Sequence, residues 1–178
     1  MIKTTLVGHA CLLIQSRETT ILTDPVWFDY LWEEINVLCP SIILEKDKVP
    51  PLDVLNLSHR HQDHFDVRTL AYLVQNKRII TPNTIILAPK DNLLLDILNE
   101  LEFKNIQVVA DFEKIQVKDV TIIPTPSRNQ VSTAEDSFPE HGLIVNDSEV
   151  TIWNQVDSMV NPDIIQRIGE LYGQIDFF

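Results

Sequence analysis

Short apolar runs separated by turn residues dominate the first third of the chain. Residues 2–7 and 10–15 read as two strands around Gly8-His9, and Thr20 to Thr23 as a third, broken by Asp24-Pro25. After Pro50-Pro51, the run Val54-Leu55-Asn56-Leu57 predicts another short strand. The period then changes. Asp66 is placed to cap a helix, with Leu70, Leu73 and Val74 at helical spacing up to Lys77. Thr84 to Ala88 predicts a buried strand, and Asp91 to Leu101 a Leu-rich helix. Residues 106–109, 115–117 and 120–123 predict three more strands, followed by a polar loop from Thr125 to Glu140. A hairpin is predicted from Gly142 to Val145 and Val150 to Trp153, across Asn146-Asp147-Ser148. Asn161-Pro162-Asp163 opens a last helix, and Ile175 to Phe178 looks like the start of a further strand.

Strands in meander-like succession, then strands alternating with helices, predict packed sheets with helices outside them, an α+β architecture. The chain shows no repeat and no linker, and its 178 residues fit one domain, 1–178. A terminal apolar run would leave an unpaired edge. The expectation is therefore a fold lacking its usual C-terminal part, or an oligomer.

Charge and composition narrow the function. Fourteen basic against 26 acidic residues leave a net charge of −12. Phosphate-held nucleic acid is not an expected partner, because it needs clustered Lys and Arg. No stretch of eighteen uncharged apolar residues predicts a membrane span, and the N-terminus lacks the layout of a signal peptide. Cys11 and Cys39 are too few for a disulfide framework and read as buried free thiols of a cytoplasmic protein.

The chemistry is concentrated in Leu57-Ser58-His59-Arg60-His61-Gln62-Asp63-His64-Phe65-Asp66, which holds three of the five histidines. In an extended segment residues two apart point the same way, so His59 and His61 can share one metal. If the chain turns after His61, Asp63 and His64 can face a neighbouring position. Imidazole with carboxylate suits Zn²⁺, Mn²⁺ or Fe better than Ca²⁺ or Mg²⁺. Such a cation lowers the pKa of bound water from near 16 to about 7.

This His-x-His-x-Asp-His (HxHxDH) motif, between a strand and a helix, resembles the signature of the metallo-β-lactamase superfamily. The segments Gly8-His9-Ala10 and Ile21-Leu22-Thr23-Asp24-Pro25-Val26-Trp27 are similar to the opening of its UlaG-like and phospholipase-D-like branches. Gly142 to Val145 and Thr151 to Ser158 resemble the hairpin that ends in the family's bridging aspartate. The resemblance implies a four-layer αβ/βα sandwich with one or two metals at a sheet rim. On it, His59 and His61 hold the first metal, Asp63 and His64 the second, and Asp157 bridges them. It implies hydrolysis of an ester, lactone or phosphodiester by a metal-bound hydroxide, with Asp63 as the catalytic group that orients the water and handles its proton. A small-molecule substrate is the expected partner.

The chain departs from the pattern twice. Where the family places a third histidine, Thr125-Pro126-Ser127-Arg128-Asn129 contains none, so Asn129 or His141 would have to serve. No histidine follows His141 to supply the last ligand of the second metal. These gaps keep a rival reading open: a catalytically silent relative that binds metal or a partner. A di-iron version of the site is a third reading. Asp24 is read as a turn residue or as a partner for a ligand histidine, and Ser58 as a residue that orients the strand end.

Overall fold

The computed structural model describes residues 1–31, 36–37, 39, 45–127, 138–159 and 161–177. Strands β1 (Lys3–Gly8), β2 (Cys11–Gln15), β3 (Thr20–Thr23), β6 (Leu52–Asn56), β7 (Ile80–Ala88) and β8 (Ile106–Val108) form one sheet in that spatial order. The first three pair antiparallel, and β3, β6, β7 and β8 run parallel. A second sheet places β12 (Thr151–Asn154), β11 (His141–Asn146), β10 (Val120–Pro126) and β9 (Ile115–Val117) side by side, all antiparallel. A two-stranded ribbon, β4 (Tyr30–Leu31) with β5 (Asn36–Val37), lies apart from both. The helices are α1 (Val67–Gln75), α2 (Asn92–Glu100) and α3 (Pro162–Tyr172).

Neighbouring side chains on each strand serve opposite layers, because a strand alternates its faces. Leu22, Leu55, Ile86 and Ala88 pack with Leu70 and Leu73 of α1 and Leu94 and Leu98 of α2. Ile21, Val54 and Leu87 point the other way and meet Val120, Ile122, Leu143, Val145 and Ile152 of the second sheet. Ile123, Ile144 and Trp153 turn outward against Ile168 of α3. The result is four layers, helix–sheet–sheet–helix, with an apolar core between each pair. Fully burying one Leu or Ile side chain stabilises such a core by about 1.5–3 kcal/mol.

Each helix starts on the cap its sequence offers. Asp66 accepts from Thr69 N, Asp91 from Leu93 N and Leu94 N, and Asn161 from Asp163 N and Ile164 N. Three expectations shift. Strand β7 begins at Ile80 rather than Thr84, because Thr81 and Thr84 bond to each other and carry the strand back. Of the predicted 175–178 strand, the described residues 175–177 form one parallel bridge, Phe177 to Ile152. Cys11 is buried as expected, whereas Cys39 is exposed, since it lies outside the apolar strands. No described helix is long and apolar enough to cross a membrane.

Candidate metal centre

The parallel strands bring their C-terminal ends to one rim, and ligand sites in open α/β sheets collect at such ends. Asp24 follows β3, and the His-rich segment follows β6. The β1–β2 turn presents His9 at the same rim. The second sheet contributes from its facing edge, where β12 ends before Asp157 and β11 begins at His141. After His61 the chain turns as expected: His64 N and Phe65 N both donate to the His61 carbonyl, at 2.9 and 2.7 Å.

Among the described residues, two groups of three gather ligand atoms within 4.8 Å of one another: His59, His61 and Asp157, and His9, Asp63 and His64. In the first, His59 Nε2 lies 3.0 Å from His61 Nδ1. Asp157 lies between the groups, with Oδ2 3.7 Å from His59 Nε2 and Oδ1 3.3 Å from His64 Nε2.

Asp24 sets the direction of both buried imidazoles. It is fully buried, and its own amide donates to the Asn56 carbonyl at 3.0 Å. Its Oδ1 accepts from Ser58 N at 2.8 Å, and its Oδ2 from Ser58 Oγ at 2.7 Å and from His64 Nδ1 at 3.1 Å. The single Ser58 hydroxyl proton goes to Asp24, so His59 Nδ1, 2.9 Å from Ser58 Oγ, is the donor of that pair. Both histidines therefore turn Nε2 to the centre, the arrangement that metal-ligating imidazoles adopt when their other nitrogen is held. Of the two sequence readings of Asp24, turn residue or histidine partner, the structure shows a hydrogen bond to a histidine.

Burial pushes the His59 imidazole down to about 4, with His64 adding to the effect, so it is neutral at pH 7. Burial also opposes protonation of His64, but hydrogen bonds to Asp157 and Asp24 overcome it and raise that group to about 10. The same bond from His64 holds the Asp157 carboxyl below the usual carboxylate range against the opposing effect of burial. Without a metal, a proton on His64 thus supplies positive charge between two carboxylates, the role a cation would take over. Four imidazoles with convergent ring nitrogens and two carboxylates fit late first-row divalent cations.

His141 is the expected ligand that neither group includes. Its Nε2 lies 2.9 Å from Asn56 Oδ1, and burial pushes its pKa down to about 4. The β11 pairing directs it between the sheets, where an amide from β6 meets it. Asn129 and Arg128 lie outside the described residues. Sequence reasoning missed Phe138, whose ring stacks on His59 at 5.6 Å and 6° and meets His61 edge-on at 4.5 Å. An aromatic residue within a polar loop was the available signal. Arg60 also lies over that ring, 5.1 Å from its centre, and contacts buried Asp91 at 3.5 Å.

A family model described as the beta-lactamase superfamily domain matches residues 3–162. A protein of Mycolicibacterium smegmatis named as a Rieske 2Fe-2S iron–sulfur protein is 31% identical over 182 residues, covering 97% of this chain and 32% of its own length. CmlA, a diiron beta-hydroxylase from Streptomyces venezuelae, superposes with TM-score 0.74 at 22% identity over 98% of this chain and 33% of its own. An isothiocyanate hydrolase from Delia radicum gut bacteria superposes with TM-score 0.71 at 18% identity, over 96% and 68%. The chain spans about a third of the length of the first curated relatives it matches.

Proposed function

Since the chain belongs to the beta-lactamase superfamily, we propose that it is a metal-dependent hydrolase of a small-molecule ester, lactone or phosphodiester. The observation that carries this reading is Asp157, whose two oxygens face His64 and His59 from between two groups of ligands. His59 and His61 would hold one cation, Asp63 and His64 a second, and Asp157 would touch both. A bound cation of this kind supplies Lewis acidity, making water a nucleophile near neutral pH and drawing charge from a carbonyl or phosphoryl oxygen.

The chain's own residues do the rest. Asp63 is partly exposed at the rim and carries the one carboxylate in its group, so it takes the attacking water's proton and orients that water. Asp24, through His64 and Ser58, keeps two Nε2 atoms aimed inward. Phe138 stacks on the face of His59 and meets His61 edge-on, limiting water at His59. Arg60 is already paired with Asp91, so it is no free phosphate clamp. That engagement favours a neutral ester or lactone over a phosphodiester. The free thiols fit a reducing compartment, and the cytoplasm is the proposed location.

Elemental analysis of the purified protein beside His59→Ala, with an esterase, lactonase and phosphodiesterase panel, tests the reading. About two equivalents of metal, lost together with turnover in the variant, are expected. Metal without turnover across the panel would favour the silent, binding-only alternative. Because a diiron beta-hydroxylase shares the fold, iron is measured alongside zinc and manganese.

A further inference from the structure

The His-rich segment gives the second group only Asp63 and His64, and the structure brings a third ligand atom to them from the β1–β2 turn. In the β1–β2 turn, the register shifts between Leu6 and Gly8, and His9 sits in the left-handed region at φ 50°. This places His9 Nε2 3.1 Å from Asp63 Oδ2, with its ring 5.6 Å from that of His64. His64 Nε2 is 3.9 Å from the same carboxylate oxygen and 3.3 Å from Asp157 Oδ1.

We propose that His9 is a ligand of the second metal, together with Asp63 and His64 and with one oxygen of Asp157. This inference rests on the metal reading above and extends it by a residue outside the HxHxDH motif. A tetrahedral cation with arms of about 2.0–2.1 Å sets its ligand atoms about 3.3–3.4 Å apart. The separations of 3.1, 3.3 and 3.9 Å bracket that edge without a large rearrangement. His64 has its Nδ1 engaged by Asp24, so the nitrogen it turns toward Asp63 and Asp157 is Nε2. A non-glycine residue in the left-handed region stores about 1–3 kcal/mol of strain and persists where its surroundings hold it. Here what holds the His9 side chain is the carboxylate of Asp63. The His9 side chain is about a third exposed, so the site opens to solvent and to a substrate.

The simpler role for His9 is to position Asp63 through the hydrogen bond alone, and two variants separate the roles. His9→Gly removes the side chain and relaxes the backbone, so the hairpin is kept. His9→Gln keeps a donor toward Asp63 but no imidazole. Binding of Co²⁺ and Zn²⁺ is followed by titration of the metal-free protein, with the cobalt absorption bands recorded. The expected result is two equivalents in the wild type and a second equivalent weakened more than about 100-fold in both variants, beyond the loss of an outer partner. The first equivalent should stay within a few-fold, with altered bands only for the second cobalt. Two equivalents of unchanged affinity in His9→Gly, or rescue by His9→Gln to near wild type, would overturn the ligand role. Absence of any metal in the wild type would overturn the metal reading and this inference with it.

Discussion

Asp24 and Ser58 are joined twice, Ser58 N donating to Asp24 Oδ1 at 2.8 Å and Ser58 Oγ to Asp24 Oδ2 at 2.7 Å. One buried carboxylate thereby ties the end of β3 to the first residues of the His-rich segment, 34 positions on. It also accepts a hydrogen bond from His64 Nδ1. Two imidazoles thus depend for their direction on a residue that reaches no metal in this arrangement.

Asp24→Asn should keep the fold, since Asn tolerates the φ of 39° at this position. Its amide cannot accept all three bonds, so His64 and Ser58 lose their fixed orientation. Metal affinity should fall by about 10–100-fold, read by competition with a chromophoric chelator. Ser58→Ala should weaken binding less, because only His59 loses its partner. Equal affinity of Asp24→Asn and wild type would show that the imidazoles are held by something else.

Phe138 provides a second check, on access rather than affinity. Its contacts with His59 and His61 are worth about 0.5–1.5 kcal/mol as aromatic pairs, which corresponds to up to about tenfold in a rate. Phe138→Ala should therefore speed extraction of bound metal by a strong chelator up to about tenfold, while Phe138→Leu and Phe138→Tyr lie nearer wild type. An unchanged extraction rate in Phe138→Ala would mean that the ring does not cover the ligands in solution.

The strands and helices were legible because their local signals agree: Asp66, Asp91 and Asn161 cap the helices the spacing predicts. Which face of a strand meets which layer was not legible. Ile21-Leu22 and Val54-Leu55 are apolar on both sides, as buried parallel strands are, so no alternation marks the inner sheet. At the site, the motif spacing announced His59, His61, Asp63 and His64, and the resemblance pointed to Asp157. The Gly8-His9-Ala10 resemblance gave His9 no partner, and Phe138 had no such marker. Their partners lie 54 and more than 70 residues away, and only the pairing of the sheets creates those contacts. Nor could the spacing show that His141, which opens a strand, would lie beside Asn56, 85 residues earlier.

Two glycines should respond to the same substitution with opposite signs. A methyl group on Gly142 would lie 2.6 Å from Thr125 Oγ1 and 2.9 Å from the Asn154 carbonyl. Thr125 Oγ1 accepts from Trp153 Nε1 at 3.2 Å, so moving it disturbs a bond between β10 and β12. Gly142→Ala should cost about 1–3 kcal/mol by overpacking. Gly169 lies inside α3 with nothing within 4 Å of an added methyl, so Gly169→Ala should stabilise by about 0.5–1 kcal/mol. Urea unfolding of the two variants beside wild type measures both, and a neutral Gly142→Ala would contradict the close contact of β11 with its neighbours.

His141 makes the stability of the metal-free protein depend on pH. Burial lowers its pKa from 6.5 to about 4, so the folded form keeps it neutral where the unfolded chain takes up a proton. Below about pH 6.5 the unfolded state therefore binds more protons, and stability falls with falling pH until the folded group also titrates near 4. Each pH unit in that window is worth about 1.4 kcal/mol, giving a loss on the order of 3 kcal/mol in all. His59 and His64 titrate too, so the effect is isolated by comparing wild type with His141→Gln, whose amide can still meet Asn56. Urea unfolding at pH 7 and pH 4.5 should show the wild type losing about 2–3 kcal/mol more than the variant between the two conditions. Parallel losses in the two proteins would mean that His141 is not held neutral against Asn56.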